Sequence, residues 1–244
     1  MYAGVINPNF DISQALIGAA YRIACKAHRG QVRKYTGEPY VNHCIDVAER
    51  LVSVGFASQP GSGTGIVVAA GLLHDVLEDC PYTEYTLAEA LDKEAQSASQ
   101  HIYDHTIQRV VRIVKALTDA PKNLGNRAAR KEMDRKRLAK TDGLTQSVKY
   151  ADLLSNTSSI VEHDPKFARV YLEEKRQLLA VMTQGNGTLR RQVADQLAAA
   201  QNKLAEMDLN KARADFEAQE KLLEQVANDR AMSDLEYNPL FGVC

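Results

Sequence analysis

The segment AAGLLHDVLED, residues 69–79, constrains this chain more tightly than any other feature. Its apolar residues call for burial, yet within six positions it carries His74, Asp75, Glu78 and Asp79. Buried charge is costly unless it is paired or bound to a metal. Any fold this sequence adopts must therefore bring partners for these groups to one place. As a helix over 65–79, the segment sets His74 and Glu78 on one face and Asp75 and Asp79 on the adjacent one, because residues four apart are neighbours. Leu72, Leu73, Val76 and Leu77 supply the apolar side.

The rest of the chain also reads as helix. DISQALIGAAYRIACKAH offers Asp11 or Ser13 as an N-cap before apolar residues near helical period. A Gly-, Pro- and charge-rich loop follows, RGQVRKYTGEPYVNH. A second helix, about 43–54, stops at Gly55, a C-cap position. The stretch ASQPGSGTG has no following Gly-Lys-Ser/Thr and reads as a plain linker. TLAE, Thr86 to Glu89, has the form of a capping box. HTIQRVVRIVKALT is amphipathic, with Ile107, Val110, Val111, Val114 and Leu117 on one face. NRAARKEMDRKRLAK is a basic helix, and TQSVKYADLLSNTSSIVE is another of mixed face. In DPKFARVYLEEKRQLLAVM, Asp164 is an N-cap and Pro165 takes the first helical position. No segment alternates with period two over a strand length, so the expected fold is all-α.

The character changes after Met182. QGNGT is a break, and residues 188–232 are rich in Ala, Gln, Glu, Lys and Leu. Leu197, Ala200, Leu204 and Met207 follow heptad-like spacing. The stripe then shifts phase to Leu209, Ala212, Phe216, Leu223 and Val226, a stutter or a bend. The expected organisation is a main domain over 1–184 and an extension over 185–244. That extension is a long helix or helical hairpin, either packed on the main domain or serving as an arm for a second copy or another protein.

The net charge of −1 argues against bulk nucleic-acid binding, and no uncharged apolar stretch reaches membrane-span length. Cys25, Cys44, Cys80 and Cys244 lack CxxC or regular spacing and read as reduced thiols. With no basic-then-apolar leader pattern at the N-terminus, the expectation is a cytoplasmic protein.

Two more residues can join the acid-laden helix. His43 follows the Pro-containing loop and starts a helix. Asp152 is an unexplained acid in the apolar helix VKYADLLSN. Two imidazoles and two carboxylates suit Mn, Fe, Co or Zn better than Ca or Mg. Such an ion keeps His43 and His74 neutral and Asp75 and Asp152 ionised. It can polarise a phosphoryl group and acidify water, and Glu78 and Asp79 lie one turn away to accept the proton.

The pattern His43…His74-Asp75…Asp152 resembles the HD phosphohydrolase superfamily. AHRGQVRKYTGEPYVNH, AAGLLHDVLED, VKALTD with DRKR, and VKYADLLSN narrow the resemblance to the hydrolase domain of the RelA/SpoT homologues, of the stand-alone small alarmone hydrolase kind. It covers about residues 11–182, with the motifs in the family's order. The resemblance implies an all-α, Mn2+-dependent enzyme that removes the 3′-pyrophosphate of (p)ppGpp. It implies metal ligation by His43, His74, Asp75 and Asp152, and preparation of the water by Glu78 and Asp79. It places Arg33 and Lys34 beside the nucleotide, Asn156 near the ribose and Ser159 at a nucleotide contact. Lys136 and Arg137 become candidates for pyrophosphate contacts. Without the resemblance, Arg33 and Lys34 read as a solvated loop pair and RAARKEMDRKR as an exposed, ion-paired helix face. Lys149 is expected to pair with an acid. The chain departs from the family at Leu153, Ser155 and Cys80. Two alternatives stand beside this reading: an HD phosphohydrolase for NADPH or another nucleotide, and a non-catalytic alarmone-binding regulator.

Overall fold

The computed structural model describes residues 8–56, 64–97, 102–157 and 159–236. The linker over 57–63 and the thiol of Cys244 lie outside the described residues. Among the described residues the only strand-like pairing is an isolated bridge between Val32 and Pro39. The all-α expectation therefore holds. Among the described residues no helix is long and apolar enough to cross a membrane.

The helices run α1 Pro8–Ala27, α2 Val41–Ser53, α3 Thr64–Leu73, α4 Val76–Asp79, α5 Glu84–Ser97 and α6 Asp104–Leu117. They continue with α7 Arg127–Leu138, α8 Gly143–Thr157, α9 Ile160–His163, α10 Pro165–Val181 and α11 Gly187–Glu236. The start of α1 at Pro8 puts Asp11 and Ser13 inside the helix, not at its cap. Proline suits a first helical turn, where its missing N–H has no partner to lose. The start of α5 is also corrected. Thr83 and Thr86 each accept the other's backbone N–H, at 3.2 and 2.9 Å, so Thr83 caps the helix one turn before TLAE. Asp164 caps α10 as expected, accepting the Phe167 N–H at 3.1 Å. Gly55 follows α2 with φ of 96°, a conformation only glycine adopts without penalty.

α3 is the centre of the fold and packs against α1, α2, α6 and α8. Ile66 to Ala70, Leu72 and Leu73 are all buried, as expected of a helix apolar on every side. Gly71 sets how closely α2 approaches it. A Cβ there would fall 2.6 Å from Leu51 Cδ1 and 3.4 Å from Val47 Cγ1. Overpacking costs about 1–3 kcal/mol, and alanine returns about 1 kcal/mol of helix propensity. Gly71→Ala is thus expected to destabilise by about 1 kcal/mol net, read by urea unfolding.

The helix expected over 65–79 is broken. α3 ends at Leu73, His74 and Asp75 form a turn, and α4 restarts at Val76. The local cause is the His74 side chain, whose Nδ1 donates to the Gly71 carbonyl at 2.8 Å. That carbonyl is the one the N–H of residue 75 would take in a continuing helix, and side-chain competition of this kind ends helices.

Two compact units divide the chain, Met1–Ala200 and Gln201–Cys244. In the first, the start of α11 is capped by Asn186, whose Oδ1 accepts the Thr188 and Leu189 N–H groups, and Leu189, Val193 and Leu197 are buried. In the second, α11 continues as helix to Glu236 with no hairpin turn. Leu209, Phe216, Leu222, Leu223, Val226 and Met232 are exposed there.

Candidate active site

Three elements meet at the buried imidazoles. α2 supplies His43, the turn after α3 supplies His74, and α8 supplies Asp152; all three are buried. His43 Nε2 and His74 Nε2 face each other at 3.1 Å. Asp152 Oδ1 lies 3.4 Å from His43 Nε2 and 3.6 Å from His74 Nε2. Asp75 Oδ2 lies 3.0 Å from His74 Nε2 and 3.6 Å from His43 Nε2. The four sequence-selected residues thus converge. One ligand atom each from His43, His74 and Asp152 lies within 4.8 Å of the others, the spacing of donors around an ion.

The tautomers suit ligation. Gly71 O can only accept, so His74 Nδ1 carries the proton and Nε2 faces the cluster. His43 Nδ1 is held by Ser155 Oγ at 2.8 Å. Such outer hydrogen bonds fix ring orientation in metal-binding histidines. Burial alone would make His74 a weaker base. Asp75 and Asp152 outweigh it and favour the imidazolium, a positive charge beside the two carboxylates that a bound ion would replace, leaving Nε2 free to ligate. Burial likewise opposes ionisation of Asp152, but Lys149, His43 and His74 hold it well below the usual carboxylate range. Lys149 Nζ bonds Asp152 Oδ2 at 2.7 Å, the acid partner expected for it. Two convergent imidazoles and two carboxylates fit a divalent ion that takes nitrogen and oxygen ligands.

Glu78 and Asp79 sit at the end of α4. Glu78 Oε2 accepts the Asp119 backbone N–H at 2.9 Å. Burial, with the nearby Asp119 charge, raises its pKa above the ordinary value. Burial and Asp75 raise Asp79 in the same way. The Asp79 carbonyl accepts from Gln31 Nε2 at 3.2 Å, which ties the acidic turn to the RGQVRK loop.

Four of the six expected nucleotide contacts line one cleft of about 290 Å3: Arg33, Lys34, Asn156 and Ser159, with Tyr40 and Tyr171. Arg33 Nη2 reaches Asn156 Oδ1 at 3.5 Å, and Asn156 Nδ2 donates to Asp152 Oδ1 at 2.5 Å. The cleft is therefore wired to the ligand cluster. Lys136 lies elsewhere, exposed on α7 with Nζ 3.2 Å from Glu132. Arg137 donates to the Ala116 carbonyl at 3.1 Å and pairs with Asp134 at 2.9 Å.

Sequence reasoning missed several residues. Tyr40 donates to Asp75 Oδ2 at 2.6 Å, and its position three residues before His43 is the only sequence signal for it. Asp119 acts on Glu78 through its backbone N–H, which no side-chain pattern reveals. Ser155, first noted as a departure, orients His43.

Comparison with known proteins agrees with this geometry. The HD domain family matches residues 20–189. The guanosine-3′,5′-bis(diphosphate) 3′-pyrophosphohydrolase of Haemophilus influenzae is 43% identical over 67 residues, 28% of this chain and 9% of that protein. A probable chloroplastic GTP diphosphokinase of Arabidopsis thaliana is 46% identical over 66 residues, 27% of this chain and 8% of its own. The chain thus spans less than a tenth of the length of either relative. A solved structure of a metazoan orthologue of SpoT, described as hydrolysing ppGpp, superposes with a TM-score of 0.61 at 24% identity, covering 76% of this chain and 95% of its own. That likeness is one of fold. With the HD match covering most of the chain and the histidine–aspartate cluster at its centre, the chain belongs to the HD domain family.

Proposed function

We propose that this chain is a divalent-metal-dependent hydrolase that removes the 3′-pyrophosphate of (p)ppGpp, giving GDP or GTP and pyrophosphate. The observation that carries this reading is the cleft of Arg33, Lys34, Asn156 and Ser159 joined through Asn156 to Asp152. In it, His43, His74, Asp75 and Asp152 hold the ion; the set suits Mn, Fe, Co or Zn, and Mn2+ is the one that the resemblance to RelA/SpoT hydrolase domains implies. When bound, the ion supplies Lewis acidity to a phosphoryl oxygen and eases deprotonation of water.

The chain's own groups do the rest. Arg33 presents a planar guanidinium to a purine face, a contact for which lysine is a poorer match. Lys34 adds positive charge at the cleft mouth, and Asn156 and Ser159 offer hydrogen bonds to the sugar and phosphates. Glu78, with its raised pKa, accepts the proton of the attacking water, and Asp79 orients that water. Lys136 and Arg137 take no part in this reading, since neither lines the cleft of Arg33 and Asn156. The catalytic domain in this reading is residues 1–184 and the extension 185–244, although the HD match reaches residue 189 and the first compact unit reaches Ala200, both past that boundary. The exposed apolar side chains within 201–236 support an interaction role for the extension with a second copy or another protein. Light scattering reads the first case, which a monomer removes.

The test is turnover by the manganese-loaded protein of ppGpp, pppGpp, NADPH and a nucleotide panel, with released phosphate and pyrophosphate quantified. Pyrophosphate from ppGpp is the expected result. Turnover of NADPH alone moves the assignment to another nucleotide. Binding of ppGpp without turnover makes the chain an alarmone-binding protein.

A further inference from the structure

Lys175 is the buried cation that the proposed chemistry leaves unused. It is 8% exposed on α10 and lines a cavity of about 620 Å3 together with Lys131 and Lys149. The other two ammonium groups are neutralised. Lys149 bonds Asp152 at 2.7 Å. Lys131 pairs with Asp119 and, at 3.5 Å, with Asp134. The other acids that line the cavity are also taken, Glu174 by Arg127 and Glu173 by Arg176, each at 2.8 Å, and Glu132 by Arg135 and Lys136. Among the described residues, Lys175 Nζ has neither a hydrogen bond nor an ion pair. Its one specific contact is the Tyr171 ring, 4.8 Å away at the centroid.

An unpaired buried charge is expensive, and a ring face offsets only part of that cost. Burial, with Lys149 and Lys131 beside it, pushes the Lys175 pKa down to about 8, against the through-space pull of Asp152 and Asp119. Among the described residues, what it lacks is a directly bonded anion. The position of α10 says which kind. Tyr171 and Lys175 are four residues apart and share a helix face. Tyr171 lines the cleft of Arg33 and Asn156, while Lys175 lines the cavity of Lys131 and Lys149. Lys149 also bonds the carboxylate that faces both imidazoles. Asp152 lines neither space but links them, bonded by Asn156 of the first at 2.5 Å and by Lys149 of the second at 2.7 Å. A ligand with its nucleoside in the first space and its phosphates toward Asp152 would therefore bring oxyanions toward the second. Clustered cationic donors suit an anion with several strong acceptor oxygens better than a lone carboxylate.

We propose that Lys175, with Lys131 and Lys149, forms a seat for a phosphoryl oxyanion of the pyrophosphate kind. The proposal deepens the assigned reaction and rests on it for the identity of the anion. The same chemistry is offered by the substrate's own pyrophosphate and by the free product.

The test is titration calorimetry of inorganic pyrophosphate into manganese-loaded full-length protein freed of excess ion, for wild type, Lys175→Met and Lys175→Arg. The expected result is affinity at least about tenfold weaker in Lys175→Met and close to wild type in Lys175→Arg. Lys175→Met is expected to melt at or above the wild-type temperature, because it removes an unpaired buried charge, so lost binding is not lost folding. Equal affinity in wild type and Lys175→Met overturns the seat, as does a wild type that binds no pyrophosphate. A rise in KM for ppGpp parallel to the lost affinity assigns the seat to the bound substrate, and an unchanged KM assigns it to the departing product. If pyrophosphate binds through Lys175 while ppGpp is not turned over, the substrate assignment fails and the seat stands.

Discussion

Asp152→Ala is expected to abolish metal binding and hydrolysis together and to destabilise the protein by about 3–5 kcal/mol. Asp152 does two things at once. Its Oδ1 faces both imidazoles, at 3.4 and 3.6 Å, and its Oδ2 neutralises Lys149 at 2.7 Å. Both members of that ion pair are largely withdrawn from water, with side-chain exposures of 13% and 6%. Removing one partner of a buried pair leaves the other charge uncompensated, and that desolvation dominates the cost. The second consequence is chemical, since the ligand set falls to two imidazoles and one carboxylate. Unfolding in urea with and without manganese, alongside a metal count on the purified protein, reads both. The double variant Asp152→Ala/Lys149→Met separates them. Replacing both charges relieves the desolvation penalty, so most of the lost stability is expected to return while metal and activity do not. If Asp152→Ala keeps its metal, Asp152 is not a ligand. If the double variant is no more stable than the single one, the Lys149 pair is not the source of the loss.

The same residue shows why part of this site was legible in the sequence. Asp152 stands among Val148, Tyr150, Ala151, Leu153 and Leu154, all buried, and an acid in such a helix needs a reason. His74 and Asp75 stand out against their apolar neighbours for the same cause. The helices themselves followed from apolar period, a local property, whereas of the expected N-caps Asp164 fell in place and those of α1 and α5 did not. What the sequence hid is non-local. The break at His74 depends on an imidazole turning back to the Gly71 carbonyl, where the uninterrupted apolar pattern argues for one helix. Tyr40 and Ser155 are neutral residues of unremarkable context, and only the packing of α2 on α8 and of the RGQVRK loop beside α4 makes them partners of Asp75 and His43. Lys175, in LEEKRQ, belongs to a stretch whose composition reads as a solvated helix face. Its burial comes from the elements that close over α10, not from its neighbours in sequence.

Glu78→Gln is expected to behave in the opposite way to Asp152→Ala, keeping the metal and the fold while losing turnover. The amide oxygen of glutamine can still accept the Asp119 N–H that Glu78 Oε2 accepts at 2.9 Å, so the turn keeps its tie to the loop after α6. What disappears is the base. General acid–base groups contribute about 10²–10⁴ to rate, and kcat is expected to fall by that factor with KM little changed. Stability should move upward. Burial and Asp119 raise the Glu78 pKa in the folded protein, so the folded state binds the proton more tightly than the unfolded chain does. For a carboxyl with a raised folded pKa, stability is lost as pH climbs from the unfolded value through the folded one, and near neutrality the ionised group works against folding. The neutral amide removes that cost, so Glu78→Gln is expected to melt no lower than wild type at pH 7. The pH–rate profile gives the third reading. Glu78 acts only when deprotonated, so wild-type kcat/KM should fall on the acid side around a pKa above the usual glutamate value, and the variant's residual rate should lack that limb. A variant that keeps the acid limb would assign it to another group, with Asp79, also raised by burial and by Asp75, the next candidate for the base.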